Sequence, residues 1–461
     1  MTARSGCMRV RRSRFTPILL PLSAIVLIVV LLSSCAPLRR LSARADSLDV
    51  RITRVMNLQI HGYGDVSSPP IMRIPRERGQ PATGIGSDQL TLRFDMLSDV
   101  PPNVMLQLVH CDQNWVPTQN IFIQDPIRLQ TTNLYVERSP IGATHYDYML
   151  NVTFPSPDDR ITIEVSGNYL ARIVDYYDRS NILAEGRFFV VQPEAAVDVS
   201  VYSDFYESAQ TEVVQHGLKV RVEAEPSFDL FGGEIRGIDV YRKGAWYSPM
   251  AANYQTFENE KVPGVPWIEW YPSFSGKTIA VFSNLPAGNE HRLLDLTDLL
   301  YYPSTGAVLS TPLSDLPRRD FGMYDNNGVL PERYVPLSDA DYVDFEFRLD
   351  LKGYSVKEDI FVIGTFNNWL VKPEWQLHYD STSGFYTVRG LIPRAYHEYE
   401  YVSGKWDPDL GILMDADATL LEGNITAASH PFYAFVYYHD ISSGGYDRII
   451  GAAVDISGTF R

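Results

Sequence analysis

Along most of this chain apolar and polar residues alternate one for one. In Leu90-Thr91-Leu92-Arg93-Phe94-Asp95-Met96 the apolar side chains fall on one face of an extended backbone and the polar ones on the other. The same period recurs in Ile161-Thr162-Ile163-Glu164-Val165 and in Val343-Asp344-Phe345-Glu346-Phe347-Arg348-Leu349. A period of two belongs to a half-buried strand, because successive side chains point to opposite faces of a sheet. Further strands are expected near 104–109, 145–153, 186–191, 236–242, 396–402, 432–438 and 446–455. Turn-forming clusters separate them, among them Ser98-Asp99, Ser156-Pro157-Asp158-Asp159, Ser166-Gly167-Asn168, Asn326-Asn327-Gly328 and Ser442-Ser443-Gly444-Gly445. A helical period shows only at 38–56, where Leu38, Leu41, Leu48 and Ile52 recur loosely, and that stretch reads equally as a solvated tether. The pattern predicts an all-β chain of consecutive antiparallel, immunoglobulin-like β-sandwich domains. The high aromatic content, 28 Tyr and 21 Phe, suits strands.

The N-terminus breaks this pattern. Arg4, Arg9, Arg11, Arg12 and Arg14 precede an almost wholly apolar run from 15 to 32, and Leu32-Ser33-Ser34-Cys35 closes it. Basic, apolar, then small residues is the order of a secretory signal peptide. The Leu-small-small-Cys ending resembles a bacterial lipobox, which implies cleavage after residue 34 and lipidation of Cys35. Pro17 and Pro21 interrupt the run, and it falls short of the roughly 20 residues a membrane span needs. The expected organisation is therefore a lipoprotein signal peptide at 1–34, a lipidated Cys and tether at 35–51, and a body that starts at 52. No acidic run follows Cys35 (Ala36-Pro37-Leu38-Arg39-Arg40). Lipoproteins exported to the cell surface in Bacteroidetes-like bacteria often carry such a run, so its absence leans towards the periplasmic face of the outer membrane.

Within the body, Gln192-Pro193 follows the strand Arg187-Phe188-Phe189-Val190-Val191, and a polar, turn-rich stretch lies at about 320–340. These breaks suggest an N-terminal sandwich at 52–192, a middle β domain at 193–330 and a C-terminal sandwich at 331–461. The region from 197 to about 320 is the least regular.

Charge and cysteine content narrow the function. The chain carries −16, and removing the five arginines of residues 1–34 leaves −21. A body this acidic repels nucleic acid and anionic head groups. Beyond Cys7 and Cys35 the only cysteine is Cys111, so an intrachain disulfide is not available; a buried thiol is the expected state.

Catalytic motifs are scarce. Gly-x-Ser-x-Gly, a Walker loop and a strand-borne Gly-x-Gly-x-x-Gly are all missing. His397-Glu398 begins like a zinc-protease motif, but Tyr401 stands where the second His belongs. Asp325-Asn326-Asn327-Gly328 reads as an Asx turn rather than a calcium loop, because Glu332 comes too early to be the bidentate ligand. Asp158-Asp159 reads as a solvated turn. The expectation is a non-enzymatic protein with no cofactor and no metal.

Two resemblances sharpen this. Phe361-Val362-Ile363-Gly364-Thr365-Phe366-Asn367-Asn368-Trp369 and Tyr399-Glu400-Tyr401-Val402-Ser403-Gly404-Lys405-Trp406-Asp407-Pro408 resemble the early-set, glycogen-binding modules. That resemblance implies a sugar platform made of Trp369 and Trp406. It also leaves open that the segment is only a reused turn signature. On a longer scale, the chain holds Leu108-Val109-His110-Cys111-Asp112-Gln113-Asn114-Trp115, Ser166-Gly167-Asn168-Tyr169-Leu170, Gly288-Asn289-Glu290-His291-Arg292 and Tyr446-Asp447-Arg448-Ile449-Ile450-Gly451. This ordered set, over about 52–455, resembles the plug protein family of the type IX secretion system. His291 and Leu293-Leu294 stand where that family carries aromatic residues. The resemblance implies a monomer that blocks the periplasmic opening of the outer-membrane translocon β-barrel when no cargo is engaged, with the membrane as second partner through the lipid. The alternative is a glycan-binding lipoprotein. Read from the residues alone, Trp115, Tyr169, Trp369, Asn168, Glu290 and Arg292 are fold determinants, with Asn168 a turn residue at positive φ and Glu290 and Arg292 a local ion pair or buried anchor.

Overall fold

The computed structural model describes residues 53–458, apart from short segments at 78–80, 82, 156–160, 209–213, 228–234, 254–264, 274–275, 304–306 and 329–339. The segments expected to be a signal peptide (1–34) and a lipidated Cys35 with its tether (35–51), and Asp158-Asp159, lie outside the described residues. Of the loosely helical stretch 38–56, the described end is extended: Arg54 opens the strand Arg54–Gly62.

The first sandwich faces one four-stranded sheet, in the order Arg54–Gly62, Leu90–Leu97, Tyr148–Phe154 and Tyr135–Arg138, against strands Val104–Cys111, Gly167–Asp175 and Ile182–Val191. Leu90, Leu92, Phe94 and Met96 enter its core while Thr91 and Arg93 stay partly exposed, as their alternation requires. Phe154, Phe188 and Ile173 meet them from the other strands. Ile161 and Ile163 are buried in the same core, but the segment 161–165 forms no ladder. Its Thr162 N–H donates to the Arg128 carbonyl, so a loop rather than a strand satisfies the alternation expected there.

The second sandwich packs Ala195–Glu207, Val214–Pro226, Thr278–Pro286 and Trp267–Pro272 against Ile235–Arg242, Pro431–Asp440 and Tyr446–Ile456. Val220, Val222 and Phe282 face Ile238, Val240, Ala434 and Val436 in one core. Two of these three strands facing the first sheet thus come from the last 30 described residues. Between the two contributions, the strands Arg292–Asp295, Tyr342–Leu349, Asp359–Gly364, Gln376–Asp380, Phe385–Pro393 and Tyr396–Asp407 build a third sandwich with its own core of Leu294, Val343, Phe345, Phe347, Val362 and Tyr401.

The cores therefore divide the chain differently from the expected 193–330 and 331–461. The third sandwich is an insertion in the second, spanning roughly Arg292 to Glu422. Arg292–Asp295 pairs with Tyr396–Asp407, and Pro431–Asp440 pairs back to Ile235–Arg242. Strand pairing joins residues about two hundred positions apart, which local composition cannot register.

One nine-stranded sheet runs through the first two sandwiches. Its halves meet where Tyr446–Ile456 lies parallel to Ile182–Val191. An aromatic cluster of Trp115, Phe189, Tyr241, Tyr433, Phe435 and Tyr437 covers the outer face of that seam. Phe189 and Phe435 stack at 4.3 Å.

Candidate functional site

The two segments that carry the chain into and out of the third sandwich lie side by side, and the Gly288-Asn289-Glu290-His291-Arg292 block is the ingoing one. The Asn424 Oδ1 accepts from the Ala287 and Gly288 N–H groups at 2.8 and 3.1 Å. Ile425 N–H donates to the Gly288 carbonyl. The Asn289 side chain donates to the Asp320 and Glu422 carbonyls and accepts from Gly322 N–H. Glu290 accepts from Ser429 N–H at 3.0 Å. A buried amide or carboxylate at each position satisfies backbone groups that the crossing leaves without a ladder.

Arg292 and His291 point to opposite sides of this crossing. Arg292 enters the third sandwich and meets Glu422 at 2.9 Å; Arg318 meets the same carboxylate at 2.8 Å. Tyr401 N–H completes the Glu422 shell. Asp315 stands 3.5 Å from Arg292 and accepts from the Tyr399 and Tyr401 hydroxyls. Burial raises the Asp315 carboxyl above its ordinary range, against the opposing pull of Arg292. The anchor expected of Arg292 is realised, with Glu422 and not Glu290 as its partner.

His291 faces a second cluster. Its Nδ1 is 2.7 Å from Asp325 Oδ2, off hydrogen-bond alignment, and 3.4 Å from Glu398 Oε2. Burial disfavours its charged form, but the two carboxylates outweigh this and raise it to about 9. Burial acts on Asp325 in the opposite sense, and its contacts with His291 hold it well below the usual carboxylate range. Asp325 opens the expected Asx turn, with Asn327 N–H donating to Oδ1 at 2.7 Å. Glu398 accepts from Asn326 and Gly328 N–H of the same turn at 2.5 and 2.6 Å. On the outgoing segment His430 donates from Nε2 to the Asn289 carbonyl at 3.1 Å, and burial first, then Arg242, keeps it neutral. Arg242, closing a second-sandwich strand, pairs with Glu400 of the third at 2.6 Å.

The Ser166-Gly167-Asn168-Tyr169 block plays the corresponding part at the seam of the first two sandwiches. Asn168 is fully buried in a strand, where it donates to the Asp112 and Gln113 carbonyls and accepts from the Tyr437 hydroxyl at 2.8 Å. The positive φ expected there belongs to its neighbour Gly167, at +147°. A Cβ on Gly167 would sit 2.3 Å from His110 Nε2. Gln113 bridges the seam, donating its side-chain amide to Asp239 at 2.7 Å and its backbone N–H to Asp447 at 3.1 Å. Cys111 is buried, and burial pushes its thiol up to about 12. A third tie closes the ring of sandwiches: Asp341 accepts from Thr144 and His145, and Tyr342 donates to Asp95 at 2.7 Å.

Trp369 and Trp406 share one apolar cluster with Phe361, Ile363 and Val402. Trp369 is buried, its ring 4.2 Å from that of His291, and Gly244 and Gly328 press against its edge. Trp406 is half-buried and tilted 45° to Phe361. The two rings do not form the flat exposed pair that a sugar platform requires. Trp369 instead closes a cleft of about 60 Å³ with Leu58, Ile60, Pro69 and Trp246, space for a few waters. His397 lies in a strand, bonded to Thr365 and the Pro393 carbonyl, well away from any helical zinc motif.

The exposed apolar residues were not legible as a group in the sequence. In the loop after Val104–Cys111, Ile121 (79 % exposed), Phe122 (75 %) and Ile127 (70 %) face solvent. The loop is not loose: Asn120 accepts from Phe122 N–H, Asp125 from Ile127 N–H, and Gln124 donates to the His110 carbonyl. The Asn120 side chain also reaches the Gly445 carbonyl, beside the exposed Ile441.

Residues 66–192 match a family model described as the type 9 secretion system plug protein, first domain. The crystal structure of a hypothetical protein from Parabacteroides merdae superposes with a TM-score of 0.67 at 19 % identity, covering 87 % of this chain and 97 % of that one. At that identity the likeness is one of fold. No curated protein matches the chain.

Proposed function

We propose, on the premise that residues 66–192 carry a type IX secretion plug domain, that this protein is a non-enzymatic subunit that closes the periplasmic opening of the translocon barrel when no cargo is engaged. The family match carries this reading. A stopper must keep its shape under the partner, and three sandwiches tied pairwise by the seam at Ile449 and Val191, the crossing at Asn289 and the clasp at Asp341 suit that task. Flexible binders lose more conformational freedom on association than rigid ones do. Acyl chains on Cys35 would hold the protein at the outer membrane, on its periplasmic side, and raise its concentration beside the barrel.

The loop bearing Ile121, Phe122 and Ile127 is the contact we assign to the barrel. It lies within the matched domain, and its backbone is hydrogen-bonded while its apolar side chains face solvent. A few such anchors account for most of the affinity in a protein interface.

The test is the conductance of the purified barrel in a planar bilayer. Adding the protein to the periplasmic side should close the pore, and its removal should reopen it. An unchanged conductance at saturating protein contradicts the proposal.

A further inference from the structure

We propose that His291, Asp325 and His430 form a site for one divalent transition-metal ion of the zinc class, placed where the inserted sandwich joins the second. The three residues offer two imidazole nitrogens and a carboxylate oxygen, and these atoms lie within 4.8 Å of one another. That donor set suits zinc, which takes nitrogen and oxygen ligands at about 2.0–2.2 Å and so draws them together by a modest side-chain shift.

Three further features favour an ion here. His291 Nε2 is buried and has no hydrogen-bond partner among the described residues, an arrangement that a buried polar atom seldom keeps without a ligand. His430 donates its Nε2 proton to the Asn289 carbonyl, which leaves the lone pair on Nδ1; metal-bound imidazoles are oriented by such carbonyl contacts. Carboxylates also gather here: Asp325 and Glu398 lie 2.7 and 3.4 Å from His291 Nδ1, and Glu290 accepts from the Asp325 N–H. A divalent ion would take over the positive charge that these carboxylates favour on His291, releasing its proton.

The positions give the ion a structural task. His291 lies on the ingoing segment, His430 on the outgoing one, and Asp325 on the turn that holds Glu398. Binding would therefore clamp both crossings of the insertion to the third sandwich. Because His291 and His430 are buried, the ion would load as the chain folds.

The test refolds the full-length chain from denaturant with Zn²⁺ or with chelator, then dialyses it and measures metal content and thermal midpoint. One zinc per chain and a higher midpoint with zinc than with chelator are expected. His430→Gln and Asp325→Asn should each weaken zinc binding by at least about 10-fold. Should either variant fail to refold, Co²⁺ in the unaltered chain supplies the second readout: intense visible absorption from a four-coordinate nitrogen–oxygen site is expected. Absence of bound zinc, zinc retained undiminished in both variants, or a weak six-coordinate Co²⁺ spectrum would each overturn the proposal.

Discussion

Ile449 stands opposite Val191 in parallel register, and this pair joins the first sandwich to the second across one continuous sheet. Gln192 N–H donates to the Ile449 carbonyl at 3.1 Å and Glu194 N–H to the Ile450 carbonyl at 2.7 Å. Arg448 clamps the join through Glu194 and Asp440. Ile449 is fully buried. Ile449→Ala should cost about 2–5 kcal/mol. Urea unfolding should keep one transition at a lower midpoint; two separated transitions would show that the sandwiches do not unfold as a unit.

Glu422 holds two guanidinium groups, Arg292 and Arg318, in a buried setting. Glu422→Gln keeps the volume but leaves Arg292 with only the 3.5 Å contact to Asp315 among its carboxylate partners. Breaking such a buried network should cost about 3–5 kcal/mol. A loss of unfolding free energy below about 1 kcal/mol, measured by urea unfolding, would place the network among the weak surface pairs instead.

Two glycines with positive φ make a controlled comparison. Gly64, at +77°, has open space where a Cβ would go, whereas Gly167 has His110 Nε2 at 2.3 Å and the Asp447 carbonyl at 3.0 Å. Gly64→Ala should lose only backbone strain, about 1–2 kcal/mol. Gly167→Ala must also displace the seam and should lose clearly more, beyond about 3 kcal/mol. Equal losses by thermal denaturation would contradict the packing described around His110.

Burial pushes the Asp239 carboxyl up to about 7, against the Gln113 hydrogen bond that favours its charged form. The folded chain then keeps a proton that the unfolded chain, with the ordinary value of 3.8, has released. Its contribution to stability is full below about pH 4 and is lost as pH rises towards 7. Asp239→Asn removes that dependence. The variant should gain on the unaltered chain across this window, by up to roughly 4 kcal/mol above pH 7. A stability difference that stays flat from pH 4 to 8 would show that Asp239 is ionised in the folded protein.

The strands were legible because each carries its own period. Leu90–Leu97, Tyr342–Leu349 and Tyr446–Ile456 lie where the alternation placed them. Ile161 and Ile163 show the limit of that signal, since burial alternated there without a ladder. The insertion was hidden because pairing of Ile235–Arg242 with Pro431–Asp440 leaves no mark in either segment alone. For the same reason Arg292 could be read as an anchor while its partner Glu422 could not. Asn168 misled because Ser-Gly-Asn is a turn signature, and here the buried Tyr437 hydroxyl and the Asp112 loop hold the Asn in a strand. Trp369 misled similarly: its motif resembles that of a sugar-binding module, but the neighbouring Gly244 and His291 decide which face the ring shows.

The exposed loop offers a surface prediction. Phe122→Asp changes a side chain that is 75 % exposed, so the fold should be unaffected, with a stability change within about 1 kcal/mol by thermal denaturation. Binding to the barrel should weaken by about 10-fold or more, as expected for an anchor worth over 1.4 kcal/mol. Unchanged binding would move the contact face elsewhere on the body.

The central claim is most directly tested by affinity isolation of the full-length, C-terminally tagged protein from detergent-solubilised native membranes, with its companions identified by mass spectrometry. Near-stoichiometric recovery of the type IX outer-membrane barrel is predicted. Recovery of the protein alone, or with companions that include no such barrel, would contradict the account.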